Sequence, residues 1–159
     1  MPMPGLPALP PTRSRAGLWN LRSDLLLPAV ARLLATNELF RRCGRGDLDY
    51  LAATAQPMRF EPGDLLCIEG TWAPVCYAVA EGCATVSIGG AAVGSVGPLD
   101  VVGERGILLD SLRAATVVAT TPMTAFAIPR TRLEALLADS RSLREWMLGV
   151  VRRHYPSPN

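Results

Sequence analysis

The chain has 159 residues, 49% of them hydrophobic, and a formal net charge of +2, which suits one domain with a core and is too short for two comfortable ones. All 16 basic residues are arginine and fall in ones and twos, which excludes the basic stripe of a nucleic-acid binder, and no apolar run approaches a membrane span. Cys43, Cys67, Cys76 and Cys83 form no C-x-x-C pair and the single histidine, His154, is remote from them, so no metal site is expected and the thiols read as reduced, buried small hydrophobes in a cytoplasmic protein.

Residues 1–20 hold five prolines within the first eleven positions and no signal-peptide apolar run, and they are expected to form a disordered proline-rich lead. Residues 21–56 read as N-terminal helices. Leu26, Leu27, Val30, Leu33 and Leu34 recur at helical spacing from Ser23 to about Asn37, with Ser23 and Asp24 as caps and Pro28 in the first turns. Leu48, Leu51 and Ala52 predict a second helix over Asp47–Ala55, closed by Pro57.

From Met58 the apolar period becomes two, and residues 57–129 read as a β-roll. Strands are predicted over 58–61 and 64–68, paired about Pro62-Gly63, then over 75–80, 84–88 and 91–96. Within the fourth, Ala84, Val86 and Ile88 are expected to face the core while Thr85 and Ser87 face outward. A final pair, 115–120 and 123–128, is joined through Thr121-Pro122. Residues 130–154 read as C-terminal helices. Thr131 and Glu134 have capping-box spacing, and a second helix from about Ser140 to His154 presents Leu143, Met147, Val150 and Val151 on one face. The fold class is α+β: a jelly-roll or cupin-like antiparallel β-roll flanked by helices at both ends.

One stretch interrupts the strands. Residues 103–116 read Gly-Glu-Arg-Gly-Ile-Leu-Leu-Asp-Ser-Leu-Arg-Ala-Ala-Thr. Gly103 allows a close backbone approach, and the turn after it aims N–H groups at an anion. Arg113 supplies a rigid positive fork for a phosphate, while Ala114 and Ala115 leave room for a compact ring. A bare phosphate would be repelled by Glu104, so the carboxylate fits a ligand that also carries hydroxyl donors. The stretch reads as a sugar-phosphate pocket.

This order of elements, with its punctuation, resembles the cyclic-nucleotide-binding domain of catabolite-activator-type regulators, protein kinase A regulatory subunits and cyclic-nucleotide-gated channels, over about residues 39–151. The residues that carry the resemblance are Leu39-Phe40, Phe60-Glu61-Pro62-Gly63-Asp64, Glu69-Gly70, Tyr77, Gly82, and Gly97-Pro98-Leu99-Asp100-Val101-Val102-Gly103-Glu104 running into the 103–116 stretch, which looks like that family's phosphate-binding cassette. The resemblance implies a stand-alone bacterial member in which Glu104 receives the ribose 2′-hydroxyl, Arg113 pairs with the cyclic phosphate, and Gly103, Ala114 and Ala115 add contacts. The resemblance also implies that a hydroxyl after the arginine favours cGMP by bonding the guanine amino group; Ala114 offers none, so cAMP rather than cGMP is the expected ligand. Four positions depart from the family pattern: Val102 for a phenylalanine, Leu112 for a proline or polar residue, Leu99 for a turn glycine, and Arg105 for a leucine. Arg105 is expected to turn outward.

The expected function is regulatory: cAMP capture draws the C-terminal helix toward the base, with Leu143, Trp146, Met147 and Val150 as candidate lid residues, and occupancy passes to an effector protein or to a dimer mate through that helix. The competing reading keeps the roll as an interaction or oligomerisation domain without a ligand. No catalytic residue is assigned, since the chain shows no nucleophile elbow, no triad that His154 could serve and no lysine. Only Tyr155 to Asn159 follow the long helix, so no helix-turn-helix and no direct DNA binding are expected.

Overall fold

The computed structural model describes residues 23–154, with side chains described from residue 26; the expected proline-rich lead over 1–20, the side chains of the proposed caps Ser23 and Asp24, and the tail from Tyr155 lie outside what is described. Helix α1 (Ser23–Ala35) contains Pro28 and buries Val30 and Leu34. A 3-10 turn (Glu38–Phe40) opens on Asn37, whose Oδ1 accepts the Leu39 N–H at 2.9 Å. Helix α2 (Arg45–Thr54) begins ahead of the expected Asp47 because Asp47 closes the cap from inside the first turn: its Oδ2 accepts the Gly44 N–H at 2.9 Å.

The strands are β1 (Gln56–Phe60), β2 (Leu65–Cys67), β3 (Val75–Glu81), β4 (Ala84–Ile88), β5 (Ala91–Val96), β6 (Val101–Val102), β7 (Thr116–Ala119) and β8 (Met123–Pro129), with α3 (Glu104–Leu108) between β6 and β7. Helices α4 (Arg130–Ala138) and α5 (Arg141–His154) complete the described chain. The strands form two four-stranded antiparallel sheets, ordered β1-β8-β3-β6 and β2-β7-β4-β5.

The couples expected at Pro62-Gly63 and Thr121-Pro122 are therefore not hairpins. β1 pairs with β8 and β2 with β7, so the chain changes sheet at each of these corners. At the first corner Gly63 sits at φ +93° and donates its N–H to Ala119 O at 2.8 Å, fastening the turn to the end of β7.

The sheet β1-β8-β3-β6 is covered on both faces, and the alternation of side chains shows it. Tyr77, Val79, Ala125 and Ala127 point into the space between the sheets, with Met58, Phe60, Leu66 and Val117. Cys76, Ala78, Phe126 and Ile128 point the other way, into a second core built from the helices, with Val30, Leu34, Leu133 and Met147. A strand covered on both faces is apolar along its whole length rather than at every second residue. Phe60 and Tyr77 meet edge to face, centroids 5.6 Å apart. β4 departs from its expected alternation: Ala84 is buried, but a register slip between Val86 and Ser87 follows, and Ile88 is left 48% exposed.

Two further expectations fail locally. Pro129, not Thr131, precedes α4, no side chain caps it, and Glu134 is engaged instead by Arg130 Nε at 2.6 Å. α5 does have its cap, Ser140 Oγ accepting the Leu143 N–H at 3.3 Å. Cys67 and Cys76 are buried as expected, whereas Cys83 is exposed in the β3–β4 turn. Among the described residues no helix is long and apolar enough to cross a membrane.

Candidate functional site

Gly103 takes φ +85°, in the left-handed region, between β6 and α3. A side chain here would be strained and would also collide with Arg113 Nη1, so only glycine lets that guanidinium lie against the backbone. Glu104 follows as the first residue of α3, and Arg113 lies beyond the turn that closes this short helix.

Arg113 is fixed from three directions by the loop joining β2 to β3. Its N–H donates to Thr71 O at 2.7 Å, its carbonyl accepts the Gly70 N–H at 2.8 Å, and its Nη2 donates to Val75 O at 2.9 Å. The other terminal nitrogen, Nη1, is buried with no hydrogen-bond partner. Glu104 is 9% exposed and its Oε2 also has no partner. Burial pushes the Glu104 carboxyl up to about 7, against the opposing effects of a backbone hydrogen bond and the charges of His154, Arg113 and Arg105.

Glu104 and Arg113 both line one cavity of about 130 Å³, walled also by Gly103, Ala114, Ala115, Cys67 and Arg105. The fold thus brings the two residues singled out in the sequence to a common space. An unmade hydrogen bond on a buried polar atom is costly. A group with an anionic edge for Arg113 and a hydrogen-bond donor for Glu104 would suit both side chains.

Arg105 is half-buried among the lining residues rather than turned fully outward. The candidate lid residues do not line this cavity. Leu143, Met147 and Val150 are buried in the helical core, and Val150 also borders a neighbouring hollow of about 450 Å³ that Glu104 shares with Glu38 and His154. Trp146 instead donates Nε1–H to Glu38 O at 3.2 Å, with the Arg42 guanidinium 4.9 Å from its ring centroid.

Sequence reasoning missed the far wall, which comes from Val86, Ile88, Val93 and Val96 on β4 and β5. Its available signal was the uncharged Ala-Ala-Val-Gly-Ser-Val run of β5, apolar yet exposed. It also missed Cys67, a buried thiol pushed up to about 11 by desolvation, with Arg113 opposing, which completes the wall beside the guanidinium.

The family profile described as cyclic nucleotide-binding domain matches residues 57–140. Acetyltransferase Pat of Mycolicibacterium smegmatis is 32% identical over 108 residues, covering 65% of this chain and 32% of Pat. The co-crystal structure of the regulatory domain of Toxoplasma gondii protein kinase A with cAMP superposes with a TM-score of 0.73 at 18% identity, over 83% of this chain and 51% of that one. The regulatory subunit of a cAMP-independent protein kinase A from Trypanosoma brucei, in a triple variant bound to cAMP in its A site, gives a TM-score of 0.69 at 21% identity, over 85% and 49% of the two chains. The chain spans about a third of the acetyltransferase and about half of each kinase regulatory chain.

Proposed function

Because the chain belongs to the cyclic nucleotide-binding domain family, we propose that it is a regulatory module that binds cAMP in the cavity between Glu104 and Arg113. One observation carries this reading: Glu104 and Arg113 line the same cavity, and each holds a buried side-chain atom, Oε2 and Nη1, that has no hydrogen-bond partner. A cyclic nucleotide offers a ribose hydroxyl to the first and a phosphate to the second, with Gly103, Ala114 and Ala115 making room. Arg113 is preorganised by its bond to Val75 O, so little side-chain freedom remains to be lost on binding.

The choice of cAMP over cGMP has one support: Ala114 lacks a hydroxyl for the guanine amino group. For cAMP itself, the Trypanosoma brucei variant bound to cAMP carries, beside a Glu-to-Ala change, substitutions that create an Arg-Ala dipeptide, and Arg113-Ala114 is the same dipeptide here. Relay to a partner protein or dimer mate passes through α3. Glu104 faces the cavity, while Ile107 and Leu108 of the same helix are packed in the core that holds Leu143, Met147 and Val150 of α5. A ligand that binds one placement of α3 better than another shifts α5 with it. Trp146 and Val150 then serve as lid residues if α5 moves toward the base.

Melting curves with cAMP and cGMP test the reading. Ligand at a hundredfold excess over Kd adds about 2.7 kcal/mol, or roughly 5–10 °C for a chain of this size. That shift is expected with cAMP, a smaller one with cGMP, and little in Arg113→Ala or in the charge-preserving Arg113→Lys, which lacks the planar fork. Absence of any shift in the wild type with either nucleotide would favour the interaction-domain reading instead.

A further inference from the structure

The loop that holds Arg113 is itself held from behind. Arg130, 5% exposed at the start of α4, donates its N–H to Pro74 O at 2.9 Å and its Nη1–H to Ala73 O at 3.4 Å. Its guanidinium lies 3.7 Å from the Trp72 ring centroid. Nη2 reaches Asp110 Oδ1 at 2.5 Å and Nε reaches Glu134 Oε1 at 2.6 Å. Asp110 takes the left-handed φ of +48°, in the turn that closes α3.

One buried guanidinium therefore grips both segments that frame the candidate phosphate site. On one side is the Trp72–Pro74 run, which leads from Thr71 O to Val75 O, the two acceptors that Arg113 uses. On the other is the Asp110 turn between Glu104 and Arg113. The pair with Glu134 stays within α4, whereas the side-chain bonds to Ala73 and Asp110 and the stacking on Trp72 reach out of the helix to the segments on either side of the cassette; the Pro74 bond is made by the backbone of Arg130. We infer that Arg130 is a positioning residue: it sets the depth and direction of the Arg113 fork through the Trp72–Val75 segment, and the separation of Arg113 from Glu104 through Asp110. The inference rests on the cyclic-nucleotide reading for its effect on ligand affinity, and on geometry alone for its effect on Arg113.

Lysine at position 130 would keep the charge but cannot grip several partners in one plane, so Arg130→Lys and Asp110→Asn are the informative variants, with Glu134→Ala as the control that touches α4 alone. Calorimetry with cAMP is expected to show affinity reduced about tenfold or more in Arg130→Lys and Asp110→Asn, and within about twofold of wild type in Glu134→Ala. Without ligand, backbone amide exchange at Gly70 and Arg113, whose N–H groups close the loop, is expected to quicken in the first two variants and not in the third. A tryptophan emission change on adding cAMP that disappears in Trp72→Phe supports transmission through the stack.

Equal affinity losses in all three variants, or unchanged exchange at Gly70 and Arg113 in Arg130→Lys, would overturn the positioning role. If the wild type binds no cAMP while the exchange pattern holds, the cyclic-nucleotide reading fails and the positioning of Arg113 stands.

Discussion

A carboxyl buried as deeply as Glu104 ties both stability and binding to pH. Its folded-state value of about 7 lies above the ordinary 4.5, so between those values the folded chain holds a proton that the unfolded chain has released. Stability from this group is full below about pH 4.5 and is lost as pH rises through 7, by about 3 kcal/mol in all. The difference in melting temperature between wild type and Glu104→Gln, followed from pH 5 to 8.5, isolates this contribution and should move against the wild type as pH rises. Affinity for cAMP should run the opposite way, because the ribose hydroxyl donates to a carboxylate: Kd should fall about tenfold from pH 6 to pH 8 and be flat in Glu104→Gln. A pH-independent wild-type Kd would remove Glu104 from the ribose.

Elements in this chain were legible where one physical demand governed them. The runs of β3, β4, β5 and β8 announce themselves by composition, and Gly82 marks a turn that tolerates nothing larger: at φ +88° its Cβ would lie 2.2 Å from Pro122 O and 2.8 Å from Met123 Cα. Gly82→Ala should cost about 3–4 kcal/mol, measurable by urea denaturation with an unchanged m-value, because backbone rather than a flexible tip must give way. Legibility fails where two demands compete. Thr131 and Glu134 have capping spacing, but the buried Arg130 takes the carboxylate first. β6, only Val101–Val102, is too short for periodicity and exists because β3 supplies a partner edge. Glu104 and Arg113 could be picked from residue type and spacing, whereas the cavity wall from β4 and β5 depends on a sheet crossing that sequence does not display. Leu99 combines both cases. It stands where the resembled family has a turn glycine, and it adopts φ +76° at 51% exposure, held by its N–H to Val79 O at 2.9 Å and by Asn37 Nδ2 at its carbonyl. Leu99→Gly relieves left-handed strain at the expense of chain entropy, and the net gain should be about 0.5–1 kcal/mol in thermal melts.

At the scale of the molecule, α3 packs Ile107 and Leu108 into the helical core while its first residue, Glu104, lines the cavity, and α5 is the large element it touches on the core side. α5 is moored at the 3-10 turn, where Glu38 receives Arg153 Nη2 at 2.7 Å and His154 Nε2 lies 3.3 Å from its other oxygen, while its carbonyl takes Trp146. The same turn reaches the cassette approach through Asn37 and Leu99. The mooring is half-exposed, so it is worth little in global stability but can bias where α5 rests. Hydrogen exchange should then report two linked regions: cAMP should slow residues 104–109 and 143–151 together in wild type and neither in Arg113→Ala. Protection confined to 104–109 would mean that the helical core does not follow the cassette, leaving Leu143, Met147 and Val150 as packing alone and sending any signal out by another surface.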